Sequence, residues 1–228
     1  MSTHSSKLFP VYVWEAPVRI WHWVMVLAMV ALCVTGYLIG SPLPSAGGEA
    51  ETHFLFGYIR FVHFAAAYLF AVMFAMRVIW AFIGNRFARE IFTMPIRLLS
   101  PKFWSALIEQ AKYYLFMRRE SVAYQGHNPL AMTAMFFMYV LGTVFIIVTG
   151  FALYGEGTGM GSWAYTVFSS WALPLLGYSQ NVHTLHHLAM WWLIIFAIVH
   201  MYMAVREDIF TGETVVSTMV NGWRVEKE

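Results

Sequence analysis

Four apolar runs, at about 20–39, 61–83, 129–153 and 185–205, restrict what this chain can fold into more than any other feature. Each is close to the ~20 residues an α-helix needs to cross a hydrocarbon core of about 30 Å. In that medium no water satisfies a free backbone N–H or C=O, so a run of this length has to close its hydrogen bonds within itself as a helix. Of the 228 residues, 60% are apolar and 11% charged, against roughly 45–50% and 25% in soluble domains. The sequence therefore predicts an all-α integral membrane protein, one domain over 1–228, folded as a four-helix bundle with transmembrane helices at about 18–40, 55–84, 129–153 and 185–206. The first run has no small-residue cleavage site behind a short apolar core, so it is expected to be a retained helix rather than a removed signal peptide.

Lysine and arginine mark the cytoplasmic side of a membrane protein, and here they are strongly segregated. Lys7 and Arg19 precede the first run, Arg206, Arg224 and Lys227 follow the last, and Arg86, Arg89, Arg97, Lys102, Lys112, Arg118 and Arg119 lie between the second and third. The connections 40–54 and 154–184 contain neither residue, only the acids Glu49, Glu51 and Glu156. Both termini are thus expected to be cytoplasmic. Arg77 lies near the inner end of the second run, and Arg60, at its outer end, is the one charge out of place.

Local signals agree with this layout. Pro17 suits the first turn of helix one, and Asn128 followed by Pro129 reads as an N-cap and a first helical position. Residues 95–117 interleave Trp104, Leu107, Ile108, Tyr114 and Leu115 with Lys102, Glu109 and Lys112, the pattern of an interfacial amphipathic helix on the cytoplasmic side. The connection 154–184, with Trp163, Tyr165, Phe168 and Trp171, is expected to lie flat at the outer headgroups. No internal repeat, low-complexity segment, separate soluble domain or nucleic-acid-binding feature is evident.

The chemistry rests with the histidines. Nine occur, and His22, His63, His186 and His200 fall within the apolar runs, where an imidazole needs a partner or a ligand. His22 and His200 share a depth near the inner ends of helices one and four; His63 and His186 share one near the outer ends of helices two and four. His186 and His200 are 14 residues apart, roughly 1400° of rotation and about 21 Å of rise, so both rings leave nearly the same face. This predicts two haems between the helices, an inner one between His22 and His200 and an outer one between His63 and His186. Each iron would be six-coordinate with no open site, which suits electron transfer rather than oxygen binding or activation. No C-x-x-C-H occurs and Cys33 is the only cysteine, so ligation alone would hold them. His183, with His186 and His187, also forms a short cluster that could bind zinc or copper, or His183 could hydrogen-bond an outer haem propionate. Arg60, three residues before His63, could pair with a propionate or snorkel to the interface. Gly36, Gly142 and Gly150 could admit a macrocycle or close helix packing. His4 and His53 read as solvated surface.

The strings E-A-P-V-R-I-W-H-W at 15–23, T-G-Y-L-I-G at 35–40, G-Y-I-R-F-V-H-F at 57–64, G-H-N-P-L-A at 126–131, H-T-L-H-H-L-A-M-W at 183–191 and H-M-Y-M-A-V-R-E-D-I at 200–209 run almost end to end. The chain they compose resembles the cytochrome b subunit of membrane-bound nickel–iron uptake hydrogenases and, more distantly, the formate dehydrogenase cytochrome. The resemblance implies haem b on His22, His63, His186 and His200. It also implies hydrogenase small and large subunits docked on the periplasmic face of the bacterial inner membrane, and a membrane quinone as acceptor. Such a subunit would relay electrons without acting on hydrogen itself. A quinone accepting electrons near the inner haem also takes protons, and His127 and Asn128 are the expected hydrogen-bonding residues there. The rival expectations are a cytochrome serving another respiratory dehydrogenase and a haem-free transporter whose histidines relay protons.

Overall fold

The computed structural model describes residues 8–42, 44, 54–118, 124–212 and 214–227. His4, Lys7, Glu49, Glu51, His53 and Arg119 lie outside them. In chain order the elements are β1 (Leu8–Tyr12), α1 (Ala16–Gly40), α2 (Leu55–Ile83), α3 (Arg86–Arg89), α4 (Met94–Arg97), α5 (Pro101–Tyr114), α6 (Pro129–Ala134), a π-helical segment Met135–Val140, α7 (Leu141–Thr158), a second π segment Tyr165–Ser169, α8 (Ser170–Leu176), α9 (Ser179–Thr211), α10 (Val215–Asn221) and β2 (Trp223–Lys227). Among the described residues, four stretches are long and apolar enough to cross a membrane: Ala16–Gly40, Leu55–Ile83, Pro129–Thr158 and Ser179–Phe210. Only 17% to 28% of each stretch's apolar window is buried in protein. The large side chains left outside, such as Leu27, Phe82 and Ile198, require lipid rather than water.

The helices overrun the apolar runs that announce them. The third span continues to Thr158 rather than ending near 153, and α9 begins at Ser179 rather than near 185. Hydropathy marks what lies in hydrocarbon, while a helix continues through polar turns such as Ser179-Gln180-Asn181. Asn128 starts α6 as the sequence expects: its Oδ1 accepts from the Ala131 N–H at 2.7 Å, with Pro129 at the first helical position. The amphipathic stretch is two helices, because Pro101 opens a new first turn at α5 after α4 has closed. Phe103 and Tyr113 of α5 are buried, while Trp104 and Ile108 are exposed.

The chain divides into two compact units. The first draws on Met1–His22, Met76–Tyr139 and Phe196–Glu228. In it β1 and β2 pair antiparallel, Leu8 opposite Lys227 and Tyr12 opposite Trp223, a small sheet that no run of alternating residues announces. Val13, Trp14, Val18, Phe87 and Ala88 form a core beside that sheet, and Met94, Phe103 and Met132 form another. The second unit draws on Trp23–Ala75 and Val140–Ile195, with a core of Ala152, Ala172 and Val182. In it the Ser169 hydroxyl donates to the Ala152 carbonyl at 2.7 Å, tying the second π segment to α7.

Candidate haem sites

His22 of α1 and His200 of α9 face each other in the first unit, with ring centres 6.4 Å apart and planes inclined by 54°. Imidazoles bound to opposite faces of one metal ion, each about 2 Å from it, have ring centres about 6 Å apart. The pair therefore fits an iron between its rings. Phe196, one turn before His200, stacks on that ring at 5.6 Å and 16°. Tyr139, in the π segment of the third span, packs on Phe196 at 5.4 Å and on Trp21 at 6.1 Å. The extra residue in a π turn shifts side chains around the axis, and here Tyr139 sits in it.

Arg77 closes this aromatic wall. Its guanidinium lies 5.3 Å from the Trp21 ring centre and 5.1 Å from that of Phe92, and one nitrogen donates to the Ala88 carbonyl at 2.6 Å. The side chain is 3% exposed, and its Nε and second terminal nitrogen find no acceptor among the described residues. A buried cation with two unused donors fits an anionic group such as a haem propionate.

In the second unit His63 of α2 and His186 of α9 line one cavity of about 220 Å³. Arg60, His183 and His187 line it too, among aromatic and aliphatic walls that include Phe64, Tyr68 and Phe151. Each ring is held at its Nδ1 by a threonine of another helix: Thr35 Oγ1 of α1 lies 2.9 Å from His63, and Thr149 Oγ1 of α7 lies 2.9 Å from His186. A Cβ added at Gly36 would stand 3.2 Å from Cε1 of His63, and one at Gly150 3.0 Å from Cε1 of His186. Gly142 instead meets Leu193 and Trp192, the close-packing alternative. Among the described residues no three histidine, cysteine or carboxylate side chains gather as a metal-ion cluster, so His183, His186 and His187 do not converge on a zinc or copper position.

His127 and Asn128 turn to different partners. Glu90 Oε2 accepts from the His127 backbone N–H at 2.9 Å and lies 3.2 Å from its ring Nδ1, and the ring packs on Trp14 at 4.9 Å. Asn128 caps α6 with its oxygen, and its Nδ2 donates to the Tyr114 hydroxyl at 3.2 Å. Tyr114 in turn donates to Glu207 at 3.0 Å and lies under the Arg206 guanidinium. Burial, and then the Glu207 carboxylate, push the Tyr114 phenol up to about 12. The expectations from sequence include neither threonine, nor Glu90, nor a partner for Arg77. Val-Thr-Gly followed by an aromatic residue occurs at 34–37 and again at 148–151, and Glu90 is the one acid between Arg86 and Arg97; those are the signals that point to them.

The profile of the prokaryotic cytochrome b561 family matches residues 13–222. The chain is similar to a probable Ni/Fe-hydrogenase B-type cytochrome subunit of Azotobacter chroococcum, 53% identical over 97% of this chain and 91% of the relative. It is also similar to the protein of that name in Cupriavidus necator, 52% identical over 95% and 88%. A probable Ni/Fe-hydrogenase 1 B-type cytochrome subunit of Escherichia coli K12 is 48% identical over 100% and 96%.

Proposed function

The chain belongs to the prokaryotic cytochrome b561 family, and from that premise we propose that it is the electron-transferring b-type cytochrome subunit of a nickel–iron hydrogenase in the bacterial cytoplasmic membrane. The observation that carries the reading is the His22–His200 pair, two imidazoles from different helices with ring centres 6.4 Å apart, the separation one iron requires. Haem b held by these two residues would supply one-electron transfer.

His22 and His200 hold the inner haem in this reading, and His63 and His186 the outer one. Arg60 and His183, which line the outer cavity, bind the propionates of the outer haem, and the unused donors of Arg77 bind one of the inner haem. The hydrogenase small and large subunits dock on the periplasmic face, the side whose connections lack lysine and arginine. Quinone accepts electrons on the opposite side. There His127, oriented by Glu90, passes a proton, while the amide of Asn128 is committed to the helix cap and to Tyr114 and keeps the loop in register.

The test uses the complex purified through an affinity tag on this chain. Nickel and iron should co-purify, hydrogen should reduce the b-type absorbance, and a quinone analogue should reoxidise it. A haem-loaded chain without nickel protein, whose spectrum hydrogen leaves unchanged, would transfer the assignment to another respiratory dehydrogenase. A haem-free chain from haem-replete cells would favour a proton-relay transporter.

A further inference from the structure

The two copies of Val-Thr-Gly-aromatic do the same thing in different helices. Thr35 donates its hydroxyl proton to the Ala31 carbonyl at 2.6 Å, and Thr149 donates to the Phe145 carbonyl at 2.9 Å. With that proton committed, the hydroxyl oxygen can only accept, so the ring nitrogen 2.9 Å away, Nδ1 of His63 or of His186, must be the protonated one. Nε2 of each ring then keeps its lone pair for a metal. A second carbonyl shares each hydroxyl proton, Leu32 at 3.4 Å from Thr35 Oγ1 and Ile146 at 3.2 Å from Thr149 Oγ1. Gly36 and Gly150, next to the threonines, leave each ring's Cε1 a space that a Cβ would fill at 3.2 and 3.0 Å, inside the ~3.5–4.0 Å of ordinary carbon contact.

We propose that Thr35–Gly36 and Thr149–Gly150 are matched positioning pairs that fix the tautomer, orientation and donor strength of His63 and His186, and so set the reduction potential of the haem between them. The inference rests on the reading of those two histidines as axial ligands. An acceptor on Nδ1–H moves electron density toward Nε2, and the more basic ligand favours ferric over ferrous iron. The threonines therefore hold the potential of this haem low. The device is two-sided: each ligand is oriented by a helix other than its own, and the two threonine–glycine pairs stand on helices that contribute no ligand to this haem.

Thr35→Val and Thr149→Val keep the shape and remove the acceptor. Redox titration of the purified, haem-loaded chain should show both haems retained, one midpoint raised and the other unmoved. The ferric-to-ferrous binding ratio should change by up to about tenfold, which is about 59 mV for one electron. Thr35→Ser and Thr149→Ser should restore the native midpoint. Midpoints unmoved in both valine variants and in their combination would overturn the proposal, as would serine variants shifted as far as valine. Should the valine variants lose that haem, the serine variants decide: retention at the native midpoint supports the hydroxyl acceptor and loss refutes it. His186→Ala, titrated alongside, separates the two levels. If it keeps both haems the ligand reading itself fails; if it loses one while the valine midpoints stay put, only the positioning role fails.

Discussion

Glu90 meets His127 twice through a single carboxylate oxygen, at the backbone N–H and at the ring, with the two side chains only 15% and 17% exposed. A carboxylate so placed orients the imidazole. Glu90→Gln and His127→Ala should each leave haem content and spectrum intact and slow quinone reduction about a hundredfold. Because the two act as one group, the double variant should be no slower than the worse single one. An unchanged rate in steady-state quinone assays would remove both residues from the mechanism. The histidines themselves were legible because an imidazole inside a lipid-spanning run is expensive and demands a reason. Thr35 and Thr149 were not, since a threonine in such a helix ordinarily bonds back to its own carbonyls. Both do so here, and their role shows only once the rings of other helices are beside them.

At the scale of elements, the cap of the third span carries more than its helix. Asn128 is 8% exposed and joins the first turn of α6 to Tyr114 of α5. Asn128→Ala should lower unfolding stability by about 1–2 kcal/mol, read by thermal melts in detergent; an unshifted melt would show the cap to be redundant. The loss should be the same at about pH 6 and about pH 9. The Tyr114 phenol, raised from 10.0 to about 12, is neutral in both folded and unfolded chains below its ordinary value. Its contribution is complete there and falls away only as pH climbs through the raised one. Four spans could be read from hydropathy, and the α6 start from Asn-Pro. The turn of π-helix carrying Tyr139 could not, because its residues are as apolar as the α-helix around it. Nor could the β1–β2 sheet, whose five-residue strands lie more than 200 positions apart, so that only the folded chain brings them into register.

For the whole molecule, the proposed function joins charge asymmetry, four apolar spans and two histidine pairs into one path for electrons, between a hydrogenase outside and a quinone inside. Each compact unit contains one complete pair, His22 with His200 in the first and His63 with His186 in the second. The two sites should therefore load and fail separately. A pyridine haemochrome count on the purified chain should give two haems per chain, falling to one in His200→Ala and to one in His186→Ala, with the surviving haem showing a different midpoint in each. A single haem in the fully loaded wild-type chain, or two haems retained in either variant, would contradict it.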